Sequence, residues 1–162
     1  MVASGALDGE PVELVDGLLV HVSPQGPEHA ALVQWLTARL AARADLLRVQ
    51  LPLAVPGGRP EPDLALAESR TAHAHPETAQ LVVEIAVTSQ IEDAAKLPGY
   101  ARAGVAAVWL IDVPARTVQV HEAPGAGAYG TSRIASPADQ LQAPVEGIDP
   151  IAVAELFAVL DR

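Results

Sequence analysis

The chain has no cysteine, which removes disulfides, a thiolate nucleophile and any cysteine-based zinc site. Aromatic residues make up only 3% of its 162 positions, so platforms for stacking exposed bases are scarce. No stretch approaches the roughly 20 apolar residues of a membrane span. Residues 1–10 carry no basic-then-apolar signal pattern either. These absences predict a soluble cytoplasmic domain with no membrane partner. Positive charge is also short: ten Lys+Arg face 20 Asp+Glu, for a formal net charge of −10. That balance argues against wrapping nucleic acid by bulk electrostatics, which needs clustered basic side chains. It is compatible with an enzyme that meets phosphate through a bound metal, where clustered carboxylates are required. Lysine occurs once, at Lys96, against nine arginines.

What is present is a chain that is 50% hydrophobic, too apolar for disorder and long enough to bury a core. Ala supplies 31 residues, so large apolar surface is less plentiful than the percentage indicates. No repeat, like-charge block or long linker divides the chain, which predicts a single domain over 1–162. Residues 12–22 read as two strands around an Asp16-Gly17 turn. Ser23-Pro24-Gln25-Gly26 breaks the chain, and Pro27 suits the first position of a helix running to about Arg43. Leu32, Leu36 and Leu40 form its apolar stripe. Strands are expected over 47–55, 63–67, 81–87, 107–112 and 117–122. A helix over 90–103 should turn Ile91, Ala94, Ala95 and Leu97 inward, with a kink at Pro98 and a C-cap at Gly104. Residues 123–147 read as irregular. Asp149-Pro150 opens a last helix, with Ala154, Phe157 and Leu160 on one face. Strands and helices alternate, so the fold class is α/β with a mixed sheet.

Two carboxylates stand out. Asp63 follows Pro62 on one short strand, and Glu84 sits inside an otherwise apolar strand, where burial is costly without a partner. A solvated face for Glu84 and a loop position for Asp63 are equally open on position alone. Lys96 follows twelve residues after Glu84, on the next helix. Two oxygen donors from adjacent strands can hold one Mg²⁺ or Mn²⁺, and a nearby ammonium can orient a water or stabilise a developing oxyanion.

With these residues in place, the chain resembles the Uma-type restriction endonuclease family of the PD-(D/E)XK nuclease superfamily. The matching pieces are Glu13-Leu-Val-Asp-Gly17, Val20-His-Val-Ser-Pro24, Glu28-His29-Ala30 and Pro62-Asp63-Leu64. They continue with residues 82–89 around Glu84, with Asp93-x-x-Lys96-Leu-Pro-x-Tyr100-Ala-x-Ala-Gly104-Val105, and with Trp109-Leu-Ile-Asp112. Together they span roughly 12–122 in the family's order. The resemblance implies a restriction-endonuclease-like three-layer fold, with a mixed central sheet flanked by helices and an N-terminal β-hairpin. It implies a DNA endonuclease using Mg²⁺ or Mn²⁺, with Asp63, Glu84 and the backbone carbonyl of Ile85 as ligands and Lys96 as the third catalytic group. The superfamily usually places its lysine two residues after the glutamate, a position held here by Ala86. In the resembled family the following helix supplies it. Val12 and Val108 replace the family's frequent aromatics.

Other candidates are weaker. His73-x-His75 lies in a polar loop without a third ligand, and a solvated loop is the better reading. His29 is either a group lying behind the metal ligands or a helix-terminal packing residue. Tyr100, one turn after Lys96, reads first as a tyrosine at the core rim and second as a site neighbour. Asp93 can pair with Lys96 as an ordinary solvated couple. A homodimer through the 12–22 hairpin is expected, because duplex cleavage needs two sites or two visits. The reading from another class is a non-catalytic, self-associating domain that keeps the nuclease fold. A hydrolase of some other phosphodiester is a third.

Overall fold

The computed structural model describes residues 12–21 and 25–162. The break expected at Ser23-Pro24 lies outside the described residues, as does the segment read for a signal pattern. Strands β1 (Val12–Val15) and β2 (Leu18–His21) form the expected hairpin. Asp16 and Gly17 both adopt positive φ, 47° and 78°, as a two-residue type I′ turn requires. Helix α1 (Pro27–Leu40) begins at the expected proline, and a single 3-10 turn carries it to Arg43.

The central sheet has six strands in the order β3-β4-β5-β6-β7-β8. These are β3 (Leu47–Val49), β4 (Leu64–Leu66), β5 (Leu81–Ala86), β6 (Ala107–Asp112), β7 (Thr117–Pro124) and β8 (Tyr129–Ala135). Only β5 and β6 run parallel. Two short helices, α2 (Gln90–Ala94) and α3 (Leu97–Arg102), connect them. Strands β9 (Gln140–Leu141) and β10 (Ile151–Ala152) pair separately and lead into α4 (Val153–Ala158).

Side-chain alternation divides the sheet into two faces. Leu64, Leu81, Val83, Ile85, Trp109 and Ile111 pack against Leu32, Leu36 and Leu40 of α1 and Leu156 and Phe157 of α4. Ala65, Val82 and Val108 face the other way, against Leu53, Tyr100 and Val105. Glu84 shares parity with Val82 and therefore lies on this second face.

Four expectations need correction. The strand read over 47–55 ends at Val49, because Gln50 takes a φ of 51° and Pro52 has no N–H to offer a ladder. Residues 123–147 are not irregular: they contain β8, an edge strand exposed along most of its length, whose sequence therefore lacks apolar alternation. The last helix starts at Val153, since Ile151 and Ala152 first pair with β9; Val153, Leu156 and Phe157 are buried, whereas Ala154 is exposed. The segment 90–103 is two helices meeting at Lys96, and Pro98 sits in the first turn of the second rather than kinking a continuous one. Gly104 ends α3 as expected. Its φ of 72° allows its own N–H to reach the Ala101 carbonyl and the Val105 N–H to reach that of Tyr100.

Candidate active site

The β4–β5 register pairs Leu64 with Val83, and one further step places Asp63 opposite Glu84. Opposed residues on neighbouring strands point to the same face with Cβ atoms about 5 Å apart. The Ile85 N–H donates to Asp63 Oδ2 at 2.8 Å, which fixes the aspartate beside the glutamate's own strand. Both carboxylates are buried, Glu84 with 2% of its surface exposed. Glu84 lies on β5 as read from the sequence, whereas Asp63 sits one residue before β4 begins at Leu64 and is tied to β5 by the Ile85 N–H.

The helix pair α2–α3 keeps Leu97 packed inward as expected but reverses the rest of the expected polarity. Ile91 is 84% exposed and Ala94 and Ala95 are exposed, while Asp93, Lys96 and Tyr100 are buried. The periodicity rule assumes an apolar surface beneath the helix; here the helices cover carboxylates, so the groups turned inward are those that can satisfy them. Lys96 Nζ lies 2.9 Å from Glu13, 3.3 Å from Glu84 and 3.3 Å from Asp93. Its pairing with Asp93 is real, but it is a buried one. Tyr100 Oη donates to Glu84 Oε1 at 2.6 Å, and Ser89 Oγ donates to Asp93 at 2.6 Å. Tyr100 is therefore both a core residue and a site neighbour. Ala86, next on the Glu84 face, is fully buried and too small to compete with the lysine for that space.

His29 takes the first of its two readings, as a group lying behind Asp63, and Gln25, which the sequence does not single out, joins it. His29, at the start of α1, is buried and places Nε2 2.8 Å from Asp63 Oδ1. Gln25 adds a longer contact to the same oxygen at 3.4 Å, and Gln50 donates to Gln25 at 2.7 Å. Glu13 had no assigned role. Its sequence signals are its place in an apolar hairpin strand and in the first piece that matches the resembled family, and 83 residues separate it from the lysine it holds. The hairpin reaches Lys96 because it docks on residues 55–59. The Arg59 N–H donates to the Leu14 carbonyl, and a Cβ at Gly58 would lie 2.2 Å from that oxygen, so no other residue fits there. Arg102 clamps Asp16 at the turn.

Burial sets the electrostatics. Desolvation is the largest influence on Glu84 and pushes its pKa up to about 8, against the pull of Lys96 and with the help of Asp63 and Asp93. Glu13 and Asp93 are raised for the same first reason. Burial works against the Lys96 ammonium, yet Glu84, Glu13 and Asp93 together hold its pKa above the ordinary lysine value. A carboxyl group with a raised pKa binds its proton more tightly in the folded state, so stability falls as pH climbs from its unfolded value toward its folded one. Lys96 contributes equally throughout that range. His121, whose pKa burial lowers, contributes an opposite change that is complete by about pH 7, so in EDTA the melting temperature should decline between about pH 7 and pH 8. A flat or rising profile would contradict this charge arrangement.

Among the described residues, no three His, Asp or Glu side chains converge as a ready ligand set. Mg²⁺ does not require one, since one or two carboxylates and retained waters usually hold it. Asp63 facing Glu84, in a pocket where carboxylates outnumber the single ammonium, fits such an ion.

A six-stranded mixed sheet flanked by helices, with an N-terminal hairpin closing over paired strand carboxylates, defines a restriction-endonuclease-like protein. The chain belongs to the Uma2 family, described as "Putative restriction endonuclease", which matches residues 6–154. The fold is similar to that of a protein described as "a putative nuclease belonging to DUF820" from Anabaena variabilis ATCC 29413. That crystal structure aligns with a TM-score of 0.73 at 18% identity, over 92% of this chain and 90% of the other. No curated protein matches the chain. No helix among the described residues is long and apolar enough to cross a membrane.

Proposed function

We propose that the protein is a DNA endonuclease that uses Mg²⁺ or Mn²⁺. The observation that carries this reading is the facing pair Asp63–Glu84 with the only lysine of the chain 3.3 Å from Glu84. Asp63, Glu84 and the Ile85 carbonyl would hold the ion. The Ile85 N–H already points to Asp63, and a strand residue directs its N–H and carbonyl to the same side. The ion, when bound, supplies Lewis acidity at the phosphate and lowers the pKa of water.

The remaining work falls to the chain. Lys96 orients the attacking water and offsets negative charge developing on the phosphate. Glu13 and Asp93 hold the ammonium in place. His29 and the Ile85 N–H fix Asp63, and Tyr100 fixes the Glu84 rotamer through its 2.6 Å hydrogen bond. The buried site also keeps these charges from being screened by solvent.

The test is supercoiled plasmid incubated with the protein and Mn²⁺, where nicked and linear forms should appear and EDTA should abolish them. Plasmid that stays intact at micromolar protein would refute the proposal. The acting species is a homodimer formed through the β1–β2 hairpin, whose Leu18 and Leu19 are 70% and 53% exposed. Light scattering at micromolar concentration should give twice the chain mass; a monomer mass would remove the dimer.

A further inference from the structure

The net charge of −10 leaves open where a polyanionic substrate would be gripped. Half of the ten cations are already spent. Lys96 is enclosed by carboxylates, and Arg39, Arg43, Arg102 and Arg116 are each held by an acid. Among the described residues Arg48, Arg59, Arg70, Arg133 and Arg162 have no carboxylate partner, and two of these, Arg48 and Arg70, line one open groove of about 730 Å³. Ser69, Thr71, His73 and His75 complete the polar part of its wall, and no carboxylate lines it.

We infer that this groove seats the phosphate backbone of the DNA substrate, with Arg48 and Arg70 as its charged contacts. The inference rests on the nuclease reading of the adjacent acids. Arg48 lies on edge strand β3 opposite Ala65, two residues beyond Asp63 on β4 and on the same face of the sheet. Two residues of strand span about 7 Å. That corresponds to roughly two nucleotides at about 3.4 Å of axial rise each. Gln50, two residues after Arg48, is bonded to Gln25, which in turn reaches Asp63. The Arg48 guanidinium is held in position before any ligand arrives, donating to Ser69 Oγ at 3.0 Å and to the Pro52 carbonyl at 3.3 Å. A backbone seated in this groove lies along the edge of the sheet that carries the acids.

The test is fluorescence anisotropy with a labelled duplex of about 20 base pairs, in EDTA so that no cleavage occurs, over a range of salt concentrations. Arg70→Glu should weaken binding at least tenfold and reduce the log–log salt slope by about 1, the expectation for one lost phosphate contact. Arg48→Gln should act in the same direction, with a melting curve to confirm its fold. Arg133→Glu, the same charge change on exposed strand β8, should alter binding by less than twofold. Equal losses for Arg70→Glu and Arg133→Glu would overturn the groove, as would a wild type that does not bind duplex. The two readings separate cleanly. If Arg70→Glu alone loses binding but wild type never cleaves with Mn²⁺, the groove stands and the nuclease reading falls. If wild type cleaves and Arg70→Glu binds normally, the groove falls alone.

Discussion

Lys96→Met is expected to lose DNA cleavage by at least about a hundredfold, the usual scale for removing one transition-state donor. The lysine is buried and holds Glu13, Glu84 and Asp93 at once, so it has no free role as a surface charge. The same geometry adds a second effect. Removing the cation leaves three buried carboxyl groups without their counter-charge, a change of the kind that costs about 3–5 kcal/mol. Cleavage must therefore be compared well below the melting temperature of the variant. Lys96→Arg should rescue little, because a planar, delocalised guanidinium is bulkier and does not give up a proton. A purely structural lysine makes a different forecast. At a temperature where Lys96→Met is fully folded, single-turnover cleavage would then match wild type, and that result would withdraw Lys96 from the reaction.

Mn²⁺ or Mg²⁺ should raise the melting temperature of wild type and do much less for Asp63→Ala. Desolvation and the nearby acids keep the pKa of Glu84 up at about 8, so at neutral pH the metal-free carboxyl group holds a proton that a divalent cation displaces. A divalent cation favours the ionised carboxylates and binds the folded state alone. At 100 times its dissociation constant, that linkage contributes about 2.7 kcal/mol, or roughly 5–10 °C for a chain of this size. Asp63→Ala removes one of the two side chains that face each other and should abolish most of the shift. An equal metal shift in both proteins would place the ion elsewhere.

The elements that bury apolar stripes were legible in the sequence. Helix α1 with Leu32, Leu36 and Leu40, the central strands β5 and β6, and the Asp16-Gly17 hairpin all follow simple patterns. Strand β8 was not, since an exposed edge leaves Gly130-Thr-Ser-Arg133 free of any alternation. The acids Asp63 and Glu84 stood out because charge inside or beside apolar strands is costly. Their companions were harder to find. His29 and Glu13 fall in pieces that match the resembled family, but they reach the site from 34 and 50 residues before Asp63, through tertiary contacts that periodicity does not encode. The inward face of α2–α3 misled for a related reason. Apolar periodicity selects Ile91 and the alanines, whereas the surface to be covered is a carboxylate cluster, and it selects Lys96 and Tyr100.

The central claim is that Asp63 and Glu84 form a metal-dependent cleavage site. Its most direct test compares wild type and Glu84→Ala, purified in parallel, on supercoiled plasmid with Mn²⁺. A contaminating nuclease would be indifferent to the substitution, so the pair isolates the chain's own chemistry. Wild type should nick and linearise the plasmid while Glu84→Ala, folded by its melting curve, leaves it supercoiled. Equal cleavage by the two proteins would contradict the account.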